Sequence, residues 1–175
     1  MDAIIIRSAK PEDAAEIQRI YGYYVENTAI SFEYDIPSVA EMERRITETL
    51  KEFPYLVAES EGRIVGYAYA GKFHTRAAYQ YSAELSVYID KDMREHGLGK
   101  RLYDEIEELL KEKKIIRLYA GIAATDNEDA FLTDASLKFH NAMGYKQVAR
   151  FHKCGYKFKK WYDLVYVEKE IGDCF

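Results

Sequence analysis

The chain has 175 residues and a formal net charge of −5 at pH 7. This length predicts a single domain, 1–175, that is large enough to bury a core, and the acidic balance argues against a general nucleic-acid-binding protein. The first seven residues are too short and too charged for a signal peptide, and no apolar run approaches the roughly 18 residues of a membrane span. Cys154 and Cys174 lack the spacing of a metal site or a CxxC motif. We therefore expect a cytoplasmic protein with reduced thiols, no metal, and neither nucleic acid nor a membrane as partner.

The first 80 residues are predicted to form three strands and two helices. Pro11 suits the first turn of a helix, and two acidic residues follow it at the positive end of the helix dipole. Ser38 and Glu41 have the spacing of a capping box, which predicts the start of the second helix. Gly62 completes a Ser-Glu-Gly sequence typical of a hairpin turn. The predicted strands are 3–7, 55–59 and 63–70, with loops at 27–37 and 72–79.

Residues 84–110 are predicted to run from a strand through a glycine-bearing loop into a helix. Apolar residues alternate with polar ones up to Ile89, and they recur at helical spacing after Gly97. No capping side chain directly precedes Gly97, and Lys100 and Arg101 put positive charge in the first turn, where the helix dipole disfavours it. An anion held over the first main-chain amides would satisfy these donors and reverse the charge penalty. The loop therefore indicates a diphosphate site.

The loop sequence Arg94-Glu95-His96-Gly97-Leu98-Gly99 fits neither of two common phosphate loops. A Walker loop needs Ser or Thr where Arg101 stands, and a dinucleotide fingerprint needs a third glycine where Leu102 stands. The remaining pattern, Arg-x-x-Gly-x-Gly, resembles the acetyl-coenzyme A loop of the GNAT superfamily of N-acetyltransferases. The alternative is a plain glycine-rich turn into a surface helix.

The second half of the chain is predicted to add a strand at 115–122, a helix from Asp134 and two closing strands, at 145–159 and 161–169. The helix is expected to bury Ala135, Phe139, Ala142 and Met143 and to end at Gly144. The whole order is β-α-α-β-β-β-α-β-α-β-β. It predicts an α/β (α+β) fold, with one mixed, mostly antiparallel twisted sheet of about seven strands and helices on both faces. This is also the order of the acetyltransferase fold.

Several further motifs resemble the phosphinothricin acetyltransferase branch of that superfamily, and together they cover nearly the whole chain. They are the segments 28–33, 54–59, 66–71 and 73–79, Glu84-x-Ser86-Val87-Tyr88-Ile89, Ser136-x-x-Phe139-His140-x-x-x-Gly144-Tyr145, and Gly155-Tyr156-Lys157-Phe158-x-x-Trp161-Tyr162-Asp163. Two departures concern the cofactor. Glu95 replaces a loop glycine, and Thr133 takes a place often held by a coenzyme-contacting Asn.

The resemblance implies acetyl-coenzyme A as cosubstrate. The strand backbone is expected to pair with the pantetheine arm, the loop to hold the diphosphate, and the Ile89 amide or a neighbour to polarise the thioester oxygen. The implied cofactor-binding residues are Val87, Tyr88, Ile89, Arg94, Glu95, His96, Gly97, Leu98, Gly99, Lys100 and Thr133.

Two catalytic residues are implied by the same resemblance. Glu84 is the expected general base for the acceptor ammonium, directly or through water, and His140 is the expected group that protonates the coenzyme thiolate. The alternatives are a strand glutamate that faces solvent or pairs with a lysine, and a half-buried histidine beside Phe139.

The acceptor pocket is expected to contain Phe32, Tyr67, Arg76, Tyr79 and Ser86. A guanidinium at position 76 would suit a substrate carboxylate, although each residue taken alone also suits packing or a surface position. Lys157 and Trp161 are read as structural or interface residues. The branch resemblance implies a homodimer to which the aromatic-rich C-terminal strands contribute.

The sequence therefore predicts an acetyl-coenzyme A-dependent N-acetyltransferase that acts on the amine of a small amino acid or an analogue such as phosphinothricin or methionine sulfone. Transfer to a protein N-terminus or a polyamine is the catalytic alternative. A non-catalytic acyl-coenzyme A-binding module is the alternative from another class, although it would have no need of both Glu84 and His140.

Overall fold

The computed structural model describes residues 4–94 and 97–173. Seven strands and four helices alternate within these ranges in the predicted order. The strands are β1 (Ile5–Ser8), β2 (Tyr55–Ser60), β3 (Arg63–Lys72), β4 (Ser82–Ile89), β5 (Arg117–Ala124), β6 (Lys146–Lys157) and β7 (Lys160–Glu170). The helices are α1 (Ala14–Asn27), α2 (Val39–Leu50), α3 (Leu98–Glu112) and α4 (Ala135–Ala142). A short 3₁₀ turn, Pro11–Asp13, leads into α1.

The strands form one sheet in the order β1-β2-β3-β4-β5-β7-β6. Every neighbouring pair is antiparallel except β4 and β5, which are parallel. This pair is short, because only residues 82–84 of β4 align with residues 117–119 of β5. Both strands continue for five further residues. The sheet is therefore split between the C-terminal halves of β4 and β5, and the predicted mixed fold is confirmed.

The main chain of β4 presents hydrogen-bonding groups to this split. The amide of Asp90 donates to Val65 on β3, whereas the carbonyl of Tyr81 accepts from residues that lead into β5. Because main-chain groups alternate in direction along a strand, even-numbered residues face β3 and odd-numbered residues face β5. Leu85, Val87 and Ile89 therefore direct their amides and carbonyls into the opening.

Helices cover both faces of the sheet. On one face α3 buries Leu98, Leu102, Ile106 and Leu110 against a core that includes Leu85, Leu118 and Val165. On the other face α1 and α2 bury Ile17, Ile20 and Ile46 against Val57 and Tyr67. The predicted start of α2 is confirmed, because the Ser38 hydroxyl accepts from the Glu41 amide at 3.1 Å. Gly144 follows α4 with a φ of +88°, the left-handed conformation that the sequence predicts after a helix.

The predicted buried face of α4 is partly wrong. Ala135 and Ala142 are exposed, Phe139 and Met143 are only half-buried, and the one residue of the helix that is fully buried is His140. The reason is that α4 turns this residue towards Tyr103 of α3 and Tyr145, where aromatic rings enclose it.

Within the described ranges, no helix is long and apolar enough to cross a membrane, and no cluster of His, Cys, Asp or Glu side chains could hold a metal ion.

Candidate active site

The split between β4 and β5 contains a cleft of about 50 Å³. Its walls come from β4, β5, α3, α4 and the loop after α1. The lining residues are Ile30, Leu85, Ser86, Val87, Tyr88, Tyr103, Ala120, Gly121, Ile122, Ala123, Ser136 and His140. The cleft therefore brings the predicted acid, His140, to the strand that carries the predicted base.

Glu84 lies at the point where β4 and β5 separate, and its side chain is half-buried. A Cβ atom at Gly121 of β5 would lie 3.5 Å from Oε1 of Glu84 and 3.4 Å from Cζ of Tyr166. The carboxylate therefore lies beside a bare stretch of main chain in the cleft wall. Burial raises the pKa of Glu84, although a hydrogen bond with Tyr166 and the nearby His74 favour the ionised form. A carboxylate with a raised pKa at a cleft suits a general base.

His140 forms a pair with a tyrosine that the sequence analysis did not identify. Its Nδ1 lies 2.8 Å from the carbonyl of Ser136, and its Nε2 lies 3.0 Å from the hydroxyl of Tyr103. A carbonyl only accepts, so Nδ1 carries the proton and Nε2 of the neutral ring accepts from the tyrosine. Burial lowers the pKa of His140, which keeps the ring neutral at pH 7. Both side chains line the cleft, so the pair can pass a proton to a group bound there.

A buried ionic network supports this pair from behind. The Tyr145 ring lies edge-on to His140, and its hydroxyl donates to Oε1 of Glu107 at 3.0 Å. The other oxygen of Glu107 accepts from Lys169 at 2.6 Å. Burial raises the pKa of Tyr103, and the charge of the nearby Glu107 raises it further.

The start of α3 has the features expected of an anion site. Gly97 adopts a left-handed conformation with a φ of +69°, provides no capping side chain, and is exposed. The first turn contains no acidic residue, whereas Lys100 is exposed and pairs with Asp104 one turn later at 2.5 Å. Free amides at a helix start together with a nearby ammonium suit a phosphate. Glu95 and His96 lie outside the described residues.

Gly99 packs against α4. A Cβ atom there would lie 3.2 Å from Cε2 of Phe139, so this glycine allows α3 and α4 to pack closely. Leu98 is also a core residue, and its side chain does not face the loop. Of the predicted cofactor residues, these two can therefore contribute main-chain groups only.

Tyr24 of α1 contacts the start of the loop that connects β4 to α3. Its hydroxyl donates to the Ile89 carbonyl at 2.6 Å, and the Arg94 guanidinium lies 5.2 Å from its ring centroid. Arg94 is exposed and so remains available to a ligand. Thr133 lies before α4, where its hydroxyl accepts from the Ala135 amide at 3.4 Å.

The structure brings some of the predicted acceptor residues to the cleft but not all. Ser86 lines the cleft and hydrogen-bonds Tyr69. Phe32 packs against β6, where a Cβ atom at Gly155 would collide with its ring. Arg76 and Tyr79 are exposed on the loop between β3 and β4, where the Tyr79 ring lies 4.9 Å from His74. Tyr67 is fully buried and lines a separate cavity under α2.

Lys157 pins the loop after α1. Its ammonium donates to three main-chain carbonyls, those of Val25 at 2.7 Å, Thr28 at 2.9 Å and Ser31 at 2.7 Å. This loop carries Ile30 into the cleft and Phe32 against β6. Lys157 therefore has a structural role, because it holds in place a loop that forms part of the cleft wall.

The sequence did not identify Tyr103 and Gly121 as cleft residues, nor Tyr166 as the hydrogen-bond partner of Glu84. Tyr103 lies next to Leu102 on the buried face of α3, so the sequence pattern does not indicate that its hydroxyl reaches a cleft. Tyr166 reaches Glu84 only because β7 pairs with β5 and places Tyr166 opposite Gly121. Such a register cannot be read from periodicity.

Comparison with known proteins agrees with this geometry. A model of the acetyltransferase (GNAT) domain matches residues 6–166. The chain is 32% identical over 171 residues to a phosphinothricin N-acetyltransferase of Alcaligenes faecalis, covering 97% of this chain and 84% of that protein. It is 27% identical to an L-methionine sulfoximine/L-methionine sulfone acetyltransferase of Salmonella typhimurium, covering 96% and 95%.

A crystal structure of a phosphinothricin acetyltransferase from Sinorhizobium meliloti in complex with acetyl-coenzyme A superposes with a TM-score of 0.88 and 29% identity, covering 97% of this chain and 89% of that one. The predicted fold, branch resemblance and enzyme class, an N-acetyltransferase, are confirmed. The chain belongs to the GNAT acetyltransferase family.

Proposed function

We propose that this protein transfers the acetyl group of acetyl-coenzyme A to the amine of an amino acid or amino-acid analogue. The observation that carries the proposal is one cleft bordered by a half-buried carboxylate, Glu84, and lined by a hydrogen-bonded Tyr103–His140 pair. Acetyl transfer to an amine needs a proton acceptor for the ammonium and a proton donor for the departing thiolate. The relatives named above act on analogues of this chemical class.

The residues present fit acetyl-coenzyme A. The odd-numbered main-chain groups of β4 face the split, where an extended arm can pair with them as a strand would. The exposed, uncapped start of α3 with Lys100 suits the diphosphate. When bound, acetyl-coenzyme A supplies an activated acetyl thioester.

Glu84 then accepts a proton from the acceptor ammonium, directly or through water, and so frees the nucleophile. As the sulfur leaves, the Tyr103 hydroxyl turns its proton from Nε2 of His140 to the sulfur, and water returns a proton to the phenolate afterwards. Before this step His140 holds the hydroxyl at the cleft through Nε2. The Ile89 amide, directed into the split, is the proposed donor to the thioester oxygen. Glu84 and Tyr103 thus divide the two proton transfers between them.

We further propose that the enzyme is a cytoplasmic homodimer. The support is an exposed aromatic pair on the β6–β7 hairpin, Tyr156 and Trp161, whose rings lie 4.9 Å apart. Tyrosine and tryptophan are enriched at protein interfaces.

The direct test is release of free coenzyme A thiol in the presence of single amines. We expect turnover with L-amino acids, phosphinothricin or methionine sulfone, and little with polyamines or peptide N-termini. Binding of acetyl-coenzyme A without thiol release for any amine would support a non-catalytic binding module and contradict the proposal.

A further inference from the structure

A large apolar groove adjoins the candidate base on the side away from the cofactor loop. Its volume is about 450 Å³. The walls are formed mainly by Phe73, Tyr119, Val148, Phe151, Leu164 and Tyr166. Val148 and Phe151 remain about half exposed, at 50% and 52%. Monomeric proteins rarely leave so many large apolar side chains together at the surface without a binding role.

The groove begins at Glu84. Tyr166, which lines the groove, hydrogen-bonds the Glu84 carboxylate. Leu164, also in the groove, and Glu84 both lie next to Gly121. A Cβ atom built on Gly121 would be 3.5 Å from the side chain of each. Gly121 belongs to the lining of the reaction cleft as well. An acceptor whose amine meets Glu84 therefore has its remaining atoms directed past Tyr166 into the groove.

The walls of the groove are largely aromatic. The Phe73 and Tyr119 rings stack with centroids 3.9 Å apart, and the Phe151 ring lies edge-on to Tyr166 at 6.3 Å. Among the described residues that line it, none is Lys, Arg, Asp or Glu, and His74 is the sole basic side chain. A charged or strongly polar side chain would lose water here without gaining a charged partner, whereas an apolar one would bury surface favourably.

We propose that this groove receives the side chain of the acceptor, and that the preferred acceptors are amino acids with large apolar side chains, such as leucine and phenylalanine. The inference rests on the proposed acetyltransferase function. It adds that phosphinothricin, whose side chain is charged, is a poorer acceptor than an aliphatic or aromatic amino acid. One methylene more or less in a hydrophobic pocket changes specificity by about 10- to 200-fold.

The test is a series of kcat/KM measurements with L-alanine, L-leucine, L-phenylalanine, methionine sulfone and phosphinothricin. We expect leucine and phenylalanine to exceed alanine and phosphinothricin by about tenfold or more, mainly through KM. Equal values, or a preference for alanine or phosphinothricin, would overturn the inference while leaving the acetyltransferase function intact. No turnover with any acceptor would contradict both.

A variant in the groove and a matched control outside it test whether the acceptor preference comes from the groove. Phe151→Ser removes an exposed wall residue, and Ile5→Ala changes an equally exposed apolar residue on β1 at the opposite edge of the sheet. Phe151→Ser should raise KM for phenylalanine about tenfold and by much more than KM for alanine, whereas Ile5→Ala should change neither. If Phe151→Ser instead altered all acceptors alike and converted a dimer to a monomer in light scattering, a second copy of the chain would occupy the groove and the inference would be wrong.

Discussion

The Tyr103 hydroxyl lies 3.0 Å from Nε2 of His140, and both groups line the cleft between β4 and β5. Because Nδ1 of the same ring donates to the Ser136 carbonyl, the imidazole is fixed in the tautomer that accepts from the tyrosine. Tyr103 is therefore the member of the pair with a proton to give when the ring is neutral.

Tyr103→Phe keeps the ring and removes this proton. We expect kcat to fall by about 10²-fold with little change in KM, since water can replace the donor only in part. Tyr145→Phe is the matched control, because its hydroxyl bonds Glu107 away from the cleft. It should cost about 1.5–3 kcal/mol of stability, because the lost bond is to a carboxylate, and leave kcat nearly unchanged. Equal effects of the two variants on kcat would show that Tyr103 only supports the fold.

The cofactor loop is tested by reversing one charge at each end of α3. Lys100→Glu places a carboxylate in the first turn, where the diphosphate is proposed to bind, and Lys111→Glu makes the same change three turns away. Both lysines are exposed and form ion pairs within the helix. We expect Lys100→Glu to weaken coenzyme A binding by about tenfold or more in calorimetry, and Lys111→Glu to leave it unchanged. Equal affinities would place the diphosphate elsewhere.

Lys157→Met retains the apolar stem and removes the ammonium from three carbonyls. Burial already lowers the pKa of this lysine, so its charge depends on those carbonyls for stabilisation. We expect a loss of about 1–3 kcal/mol in unfolding free energy and a higher acceptor KM, because the loop that carries Ile30 is released. The control, Lys160→Met, removes an exposed ion pair with Asp129 and should cost less than about 1 kcal/mol. Chemical denaturation measures the unfolding free energy of both variants. Similar decreases in the two would contradict a specific role for the bonds from Lys157 to the three carbonyls.

The sequence alone predicts the fold well, because the order of the elements and their buried faces follow from periodicity. The role of Glu84 as base rests on the family resemblance and stays a prediction. The alternation of β4 sets Glu84 apart from Leu85 and Val87, and the apolar spacing of α3 fixes its buried face. The Tyr103–His140 pair joins positions on different helices, and the Glu84–Tyr166 bond depends on strand register across the sheet. That Gly99 faces Phe139 likewise follows only from the packing of α4 against α3. Tertiary contacts of this kind leave no local pattern in the sequence.

Glu84→Gln should not destabilise the protein at neutral pH. The pKa of Glu84 is raised on folding, so the group stabilises the fold fully below its unfolded pKa and loses that contribution as pH rises through its folded pKa. Glutamine resembles the protonated form and can still accept from Tyr166. We expect its Tm to match or exceed that of the wild type at pH 7, with the difference disappearing near pH 4, about the unfolded pKa. A lower Tm at pH 7 would indicate that the ionised carboxylate has a structural role.

The role of Glu84 as general base is tested most directly by pH–rate profiles of the wild type and Glu84→Gln at saturating acetyl-coenzyme A. The wild-type kcat/KM should rise with pH through the raised pKa of this carboxylate. Glu84→Gln should lower kcat at pH 7 by about 10²–10⁴-fold, with unchanged coenzyme A affinity, and the deficit should shrink at high pH, where more of the amine is free. A near-wild-type kcat for Glu84→Gln at pH 7 would contradict the assignment and place the base elsewhere in the cleft.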